Sequence, residues 1–499
     1  MRAQRFATIP ILLALVAGPG EPAAEVVELN LEDAVRMAVE RSPAAHRLAV
    51  ERARDDLRWA SSRRALWPEV ELDLRAPMLA RDFAVEPIST TLADSFSAGE
   101  VSQQVFIKTT TTRTNAAGGL RFQQLLPWRG TLQASSSLFY RDEETDPRGV
   151  RSPRLDYQLD ARLGLDVQLL GDDPDRRALS RARIENDIAQ ARVDAQHAQL
   201  VFESTSRYLA LLRSSLSLGI VRSALEQTER AHDQAKRKVD TGLLPEVEFL
   251  RMQVILSERQ AILAETETRV ARQSDAFKDF LGVALSDSLL LSEELRPFGA
   301  DVRLEDAVAV ALQRRAEIGI AARELELLDL DRRARRPYLP DLAISLRYGG
   351  AASESRFDDA LAALSANNLA FEMSLRLPLW DAGRGKLEEE IERAGVRLQE
   401  FEIDASRRNV ELEVRDAVRE LRDAQRRHRL FQASSALAEE SLRISAERYD
   451  RGLLGTDGYL AAQSEVASAR LGLTGALLDL YQARARLRLV TMSEAWVDF

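Results

Sequence analysis

Histidine is the side chain best suited to acid–base catalysis and metal binding at neutral pH, and this chain contains four histidines. They are His46, His197, His232 and His428, and each lies in a charged stretch with the periodicity of a helix. Their spacing fits neither a metal site nor a catalytic triad. We therefore predict solvated helix residues at all four positions, with neither enzyme activity nor a bound metal.

Reactive chemistry is limited further by the absence of cysteine from all 499 residues. Without cysteine the chain has no disulfide, thiolate metal site, thiol nucleophile or lipid-modified N-terminal cysteine. Gly383-Arg384-Gly385-Lys386 superficially resembles a phosphate loop, but the earlier glycine and the following Ser or Thr are missing. A net charge of −10 argues against nucleic acid as a partner. No cofactor is expected.

The segment 1–24 has the pattern of a secretory signal peptide. Arg2 and Arg5 precede an apolar run from Phe6 to Ala17, and small and helix-breaking residues follow as far as Ala24. Either Gly20 or Ala24 suits cleavage. No later stretch approaches the roughly 18 unbroken apolar residues of a membrane-spanning helix, so we predict that any membrane span is a β-barrel.

The chain uses one long motif twice. LEDAV occurs at 31–35 and again at 304–308, and the matching residues that follow are offset first by about 272 positions and later by about 210. The first copy therefore holds an insertion of roughly 62 residues, at about 78–155. We predict a first structural repeat at 25–283, an inter-repeat segment at 284–303 and a second repeat at 304–499.

Each repeat contains a heptad pattern, in which apolar or small residues recur at alternating steps of four and three. The first seam is Ile184, Ile188, Ala191, Ala195, Ala198 and Phe202, and the second is Leu387, Ile391, Ala394, Leu398, Phe401 and Ala405. No proline interrupts the helical pattern from about 175 to 239 or from about 385 to 448. The pattern predicts coiled-coil helices that are each near 100 Å long.

A second helix is predicted after each long one. Gly242 and Gly452 suit left-handed C-caps, and Pro245 suits the first turn of the helix that follows. The sequence thus predicts two antiparallel helical hairpins, at 175–283 and 385–495.

The period changes to two ahead of each long helix and earlier in each repeat, which predicts strands with one apolar and one charged face. The alternating segments are 70–74, 163–169, 342–346 and 371–379, of which the last two form a strand pair at 338–380. A soluble sandwich and a membrane barrel both show this pattern. The signal peptide, the missing lipid anchor and the lack of a second sheet favour the barrel, with Arg162, Asp166 and Arg376 lining a polar lumen.

Two strand pairs are too few to close a barrel, because the smallest barrels have about eight strands, so the chain is predicted to oligomerise. The insertion contains a third candidate hairpin, with alternating residues at 120–124 and 132–140 around the turn Pro127-Trp128-Arg129-Gly130. Two alternatives stay open for this hairpin. It forms either an extra lipid-facing strand pair or an extracellular excursion.

Four features together carry a family resemblance: the duplicated LEDAV helix, the strand leading into residues 377–383, the paired Gly-Leu-Leu turns and the heptad helices. The order and duplication of these features resemble those of the TolC family of outer-membrane efflux and secretion channels. The resemblance covers essentially all of the mature sequence. The resemblance implies a homotrimer that is mainly α with a β-barrel part. An outer-membrane barrel shared by the three chains would join a periplasmic tunnel of helices.

The resemblance also implies where partners bind. Two helical turns contact a periplasmic adaptor in the family. The first turn is Gly242, Leu243, Leu244 and Pro245, and the second turn is Gly452, Leu453, Leu454 and Gly455.

A periplasmic gate is implied at Glu248, Tyr449 and Asp457. The basic residue of the family's gate network falls on Leu454, so that network is expected to be incomplete here. The family's acidic selectivity ring maps onto Gly458 and Ala461, and Asp457 either replaces one acidic ring or caps the returning helix.

The predicted function is a passive outer-membrane exit duct of a tripartite efflux or type I secretion system. Its implied partners are two further copies of the chain, the adaptor, an inner-membrane pump and outer-membrane lipid. The alternative is a periplasmic coiled-coil scaffold with a soluble β head and no channel.

Overall fold

The computed structural model describes residues 26–93, 100–147, 152–242, 245–291, 295–299, 301–334, 340–365, 367–377, 379–451 and 453–493. The predicted signal peptide lies outside these residues. The helices are α1 (Leu31–Arg41), α2 (Pro43–Arg64), α3 (Pro174–Asp240), α4 (Glu246–Leu281), α5 (Leu304–Arg314), α6 (Ala316–Ala334), α7 (Phe357–Ala363), α8 (Arg384–Asp450) and α9 (Thr456–Thr491). The strands are β1 (Val26–Leu29), β2 (Glu69–Ala93), β3 (Glu100–Leu126), β4 (Gly130–Pro147), β5 (Ser152–Leu170), β6 (Ser288–Leu291), β7 (Asp341–Glu354) and β8 (Asn368–Arg376).

Three pairs of equivalent helices in the two repeats match in length. α1 and α5 each have 11 residues, α3 and α8 each have 67, and α4 and α9 each have 36. A helix of 67 residues is about 100 Å long at 1.5 Å per residue, far above the usual helix length. The prediction of a mainly helical chain with an antiparallel sheet is confirmed.

One of two compact units comprises residues 50–193 and 316–408 and contains a six-stranded antiparallel sheet in the order β2-β3-β4-β5-β7-β8. β2 and β8 are its edges, so a single chain leaves the sheet open. The insertion supplies β3 and β4, which pair with each other and lie between β2 and β5. The insertion therefore adds two strands to this sheet.

The two faces of this sheet differ along every strand. One row across all six strands is Val70, Phe122, Ala134, Leu163, Tyr348 and Leu369. The adjacent row, on the opposite face, is Glu71, Arg121, Ser135, Arg162, Gly349 and Asn368. Because side chains alternate between faces, these two rows show an apolar face and a polar face at this level of the sheet. Many of the apolar side chains are exposed, with Leu369 at 66% and Phe371 at 65%.

The other unit covers residues 26–49, 194–315 and 409–493 of the described chain. Its main core surrounds Tyr208 of α3 and Phe277 of α4, whose rings meet edge to face at 6.4 Å. The Tyr208 hydroxyl donates a hydrogen bond to the Leu29 carbonyl at 3.4 Å, and Leu29 lies on β1. β1 pairs with β6 in a parallel two-stranded sheet that the sequence did not predict. This pair joins the start of the first repeat to the inter-repeat segment.

The heptad seams behave differently in the two repeats. Ile184 and Ile188 on α3 are buried, as coiled-coil residues should be. On α8, Leu387 is 61% exposed and Phe401 is 71% exposed. The second seam therefore lacks a partner within the described part of one chain. Among the described helices, none combines the length and the apolar character needed to cross a membrane.

Candidate functional site

The end of α3 forms the first half of the first turn. Gly242 has a φ of +74°, and its N–H donates to the Val239 carbonyl at 2.9 Å. The Thr241 hydroxyl donates to the carbonyls of Arg237 and Lys238 at 3.0 and 3.1 Å. A left-handed residue directly past a helix end favours glycine, so the predicted C-cap at Gly242 is confirmed.

The start of α4 completes the first turn. Pro245 is the N-cap residue, one position ahead of its predicted place in the first helical turn, and its carbonyl accepts the Glu248 N–H at 3.0 Å. Glu248 therefore lies in the first turn of α4, where a carboxylate interacts favourably with the positive end of the helix dipole. Leu243 and Leu244 fall outside the described residues.

The second turn is built differently. The Leu453 N–H donates to the Arg448 carbonyl at 2.8 Å, and Gly455 is the N-cap of α9. Gly455 has no side chain to cap the helix, so the first N–H groups of α9 receive no side-chain cap at this position. Asp457 is the second residue of the helix, so the alternative that it caps the returning helix was wrong. Gly452 falls outside the described residues.

An arginine that the sequence reading missed joins two predicted gate residues. Arg251 of α4 lies 3.2 Å from the Glu248 carboxylate and 3.4 Å from the Asp457 carboxylate of α9. Glu248 and Arg251 are three residues apart, which places them on one face of α4. That spacing was visible in the sequence, but the contact with Asp457 joins two different repeats. Arg251 thus places a guanidinium between two of the predicted gate residues.

Tyr449 lies in a separate aromatic cluster. Its ring stacks on Tyr459 of α9 with centroids 4.9 Å apart and planes inclined by 9°, and the Lys238 ammonium lies 4.1 Å above its centroid. Tyr449 is only 4% exposed, and its hydroxyl has no hydrogen-bond partner among the described residues. Among the described contacts, none connects Tyr449 with Glu248. The structure therefore divides the predicted gate into an ionic cluster and an aromatic cluster.

The second turn also packs through Leu454. A Cβ atom added to Gly458 would lie 2.6 Å from Leu454 Cδ1, closer than two carbon atoms can approach. Gly458 therefore gives Leu454 room to fold back over the start of α9. The acidic ring of the family is absent at Gly458 and Ala461, and Asp457 is the nearby carboxylate, in contact with Arg251.

The charged face of the sheet carries the predicted lumen residues. Arg162 pairs with Asp160 at 2.6 Å, and Arg347 lies 3.6 Å from Glu372 across β7 and β8. Asp166 and Arg376 lie on β5 and β8. Mixed charges on one face suit a hydrated surface.

The histidines do not assemble into a reactive site. His46 and His197 are exposed and His232 is partly buried, 5.0 Å from the Phe249 ring. His428 is 8% exposed, so its predicted solvation was wrong. In the described part of the chain, no group of three or more His, Asp or Glu side chains is placed to hold a metal ion.

The second repeat matches a known protein family. Residues 307–491 match the family model for outer membrane efflux protein. No curated protein matches the chain by sequence.

Solved structures match over most of the chain. The CmeC outer membrane channel of Campylobacter jejuni superposes with a TM-score of 0.64 at 13% identity, over 92% of this chain and 85% of that one. The outer membrane protein VceC of Vibrio cholerae gives a TM-score of 0.62 at 15% identity, over 92% of this chain and 95% of that one. The MtrE outer membrane channel of Neisseria gonorrhoeae, in its open state, gives 0.61 at 14% identity, over 92% and 88%. At these identities the likeness shows the fold. With the family match, it confirms the predictions of an outer-membrane location and of transport rather than catalysis.

Proposed function

We propose that the chain is the exit duct of a tripartite export system. The match of residues 307–491 to the outer membrane efflux protein family model, which confirms the resemblance to TolC-family channels, supports this proposal. Three copies would share one barrel in the outer membrane, and their long helices would enclose a periplasmic conduit. Cargo would enter from an inner-membrane pump through a periplasmic adaptor. In this proposal the duct itself is passive, and the pump drives the cargo.

The sheet carries this proposal. Large apolar side chains are exposed on β2, β3, β5, β7 and β8, while the opposite face holds charged residues such as Arg162 and Glu372. Soluble proteins rarely leave an apolar patch of this extent in water. A sheet that faces lipid on one side and a hydrated lumen on the other needs this division of residues. The scaffold alternative would leave the apolar face exposed to water.

Assembly from several copies follows from two further observations. The edges at β2 and β8 present unpaired backbone groups, which lipid cannot satisfy. The seam of α8 from Leu387 to Phe401 exposes large apolar side chains along one helix face. Both features would be covered in an assembly of several copies. The edge strand β2 of one copy would pair with β8 of the next, and the α8 seam of one copy would pack against a helix of its neighbour. The resemblance to the family favours three copies.

The two turns are the proposed docking sites for the adaptor, and the clusters next to them form the proposed gate. Leu453 is 74% exposed at the second turn, an apolar side chain free to enter a partner's groove. The Arg251 bridge from Glu248 to Asp457 ties α4 to α9, so separating the two hairpins would require that bridge to break. Type I secretion and small-molecule efflux both fit this arrangement.

Cell fractionation tests the proposal. We expect the protein in the outer membrane as a detergent-extractable oligomer that heat dissociates. Recovery as a soluble periplasmic protein would overturn the duct and favour the scaffold. A crosslinking scan with a photoreactive residue at Leu453, Leu454 and Gly455 should capture a periplasmic adaptor, whereas the same residue at exposed Leu437 of α8 should not. An equal yield at all positions would remove the docking assignment.

A further inference from the structure

We infer that the hairpin β3–β4 is part of the barrel wall, so that three chains enclose an eighteen-stranded barrel in place of the twelve-stranded barrel that the repeats alone would build. This inference rests on the proposed trimeric duct and specifies the width of its exit. The second repeat gives two strands, β7 and β8, whereas the first gives four, β2 to β5. The difference is the insertion.

The pairing of the inserted hairpin places it within the wall. β3 pairs with β2 from Glu69↔Gln123 onward, and β4 pairs with β5 from Gly130↔Val167 onward. No described pair joins β2 directly to β5. The hairpin therefore separates two strands that would be neighbours without it. A loop folded over the barrel mouth would leave β2 and β5 adjacent.

The side chains of the hairpin follow the division between the two faces. Phe122 and Ala134 continue the apolar row between Val70 and Leu163. Leu120, on the same face, is 50% exposed, as expected of a residue that contacts lipid. A strand pair that served only as an extracellular excursion would have no reason to keep one face apolar at this level.

The polar face is also continuous across the inserted strands. Arg121 of β3 lies 3.5 Å from Glu71 of β2, and Arg113 of β3 lies 3.5 Å from Glu143 of β4. These ion pairs cross the junctions on either side of β3 and continue the charged surface that includes Arg162. The inserted strands would therefore add charged residues to the lumen wall as well as apolar residues to the lipid face.

The sheet edges allow closure with these strands included. Neighbouring strands are antiparallel throughout, so β2 and β8 run in opposite directions and can pair as antiparallel neighbours in adjacent copies. Barrel diameter grows roughly linearly with strand number. Eighteen strands rather than twelve would widen the barrel about 1.5-fold and enlarge its cross-section roughly twofold. The exit would then admit bulkier cargo than the shared family architecture requires.

Disulfide trapping tests the inference cleanly because the chain has no native cysteine. In membrane-inserted full-length protein, the pair Leu132→Cys and Leu165→Cys reports β4 beside β5, since these residues are register partners. The pair Leu72→Cys and Leu163→Cys reports β2 beside β5. We expect crosslinking in the first pair and at least tenfold less in the second. The reverse result would overturn the inference.

A deletion of residues 94–151, which joins β2 directly to β5, is the matched control. This variant should crosslink Leu72→Cys to Leu163→Cys and should show a narrower barrel by electron microscopy, with roughly half the cross-section. If the deletion does not assemble, strand counting in electron micrographs of the full chain decides: eighteen strands support the inference and twelve overturn it.

Failure of the proposed trimeric duct would look different. Intermolecular crosslinks between β2 and β8, scanned from Leu72→Cys against Phe371→Cys and Met373→Cys, report sheet sharing between copies whatever the strand number. If these crosslinks form while the β2–β5 pair traps, the duct stands and only the wider wall fails. If none forms and the protein is soluble, the duct itself fails.

Discussion

Arg251 of α4 and Asp457 of α9 form an ion pair with a distance of 3.4 Å between nitrogen and oxygen, and the same guanidinium reaches Glu248 at 3.2 Å. One cation thus lies between two carboxylates from different repeats. Without it, the carboxylates would face each other with like charge. The pair is exposed, so its contribution to stability is small, but its position beside both turns makes it a strong candidate to control how far the hairpins separate.

Replacing Arg251 should loosen the proposed gate without unfolding the protein. In Arg251→Ala, Glu248 and Asp457 lose their shared counterion, and we expect single-channel conductance in planar bilayers to rise on the order of a few-fold at 0.1 M salt, with the difference shrinking at 1 M salt as charges are screened. Thermal stability should change by less than about 1 kcal/mol. Arg269→Ala is the control, because its described ion pair with Glu265 stays within α4. Equal conductance in both variants would contradict the gating role.

Tyr449 should stabilise the end of α8 through its ring rather than its hydroxyl. The ring stacks on Tyr459 and lies under Lys238, whereas the hydroxyl is buried without a described partner. The free energy of unfolding of Tyr449→Phe should therefore lie within about 0.5 kcal/mol of the parent value. In Tyr449→Ala it should fall by roughly 3 kcal/mol, because the substitution creates a cavity. Thermal melting of the detergent-solubilised protein checks this. A Phe variant as unstable as the Ala variant would mean that the hydroxyl has a partner.

Two glycines of α9 form a matched test of helix packing. A Cβ atom on Gly472 would lie 2.5 Å from the Phe431 ring of α8, whereas nothing lies within 4 Å of one on Gly475. Gly475→Ala should stabilise the protein by up to about 1 kcal/mol, because alanine favours the helix. Gly472→Ala should cancel that gain or reverse it, since the Phe431 ring has to move. Similar melting temperatures for the two variants would show that the ring yields freely.

Tyr208 should make the protein sensitive to strongly alkaline pH. Burial raises the pKa of Tyr208 from 10.0 to about 12. The folded state thus holds this proton more tightly than the unfolded state, so the stabilisation is complete below pH 10 and is lost as the pH rises from about 10 towards 12. Tyr208→Phe has no titrating hydroxyl and therefore lacks this pH-dependent stabilisation. It also loses the hydrogen bond to the Leu29 carbonyl, which is worth about 1 kcal/mol. Unfolding curves of the parent and the variant should therefore converge above pH 10, and parallel curves would refute the assignment.

The sequence predicted those parts of the fold that depend on local periodicity. The heptad spacing around Ile188 and the alternation around Leu165 predicted α3 and β5, and duplication placed their counterparts about 210 residues later. Both signals arise from side chains that must face one side of a helix or strand. Both signals can therefore be recognised in the sequence even when the element against which the side chains pack is unknown.

Features that depend on distant partners were not predictable in this way. β1 and β6 have four residues each and pair across more than half of the chain, so neither carries enough pattern to predict the other. The α8 seam was recognised, but its heptad pattern did not indicate that it would be exposed in one chain. Arg251 was missed for a similar reason, because its second carboxylate comes from the other repeat.

The inserted hairpin keeps the number of sheet strands per chain even. Each insertion of two antiparallel strands reverses the chain direction twice, so β5 still runs the same way as β8, and both lead into helices of 67 residues. A single added strand would have sent α3 from the opposite edge of the sheet. A barrel wall built from this repeat can therefore grow only by two strands per chain. In an assembly of three chains, the number of strands in the wall then changes by six at a time.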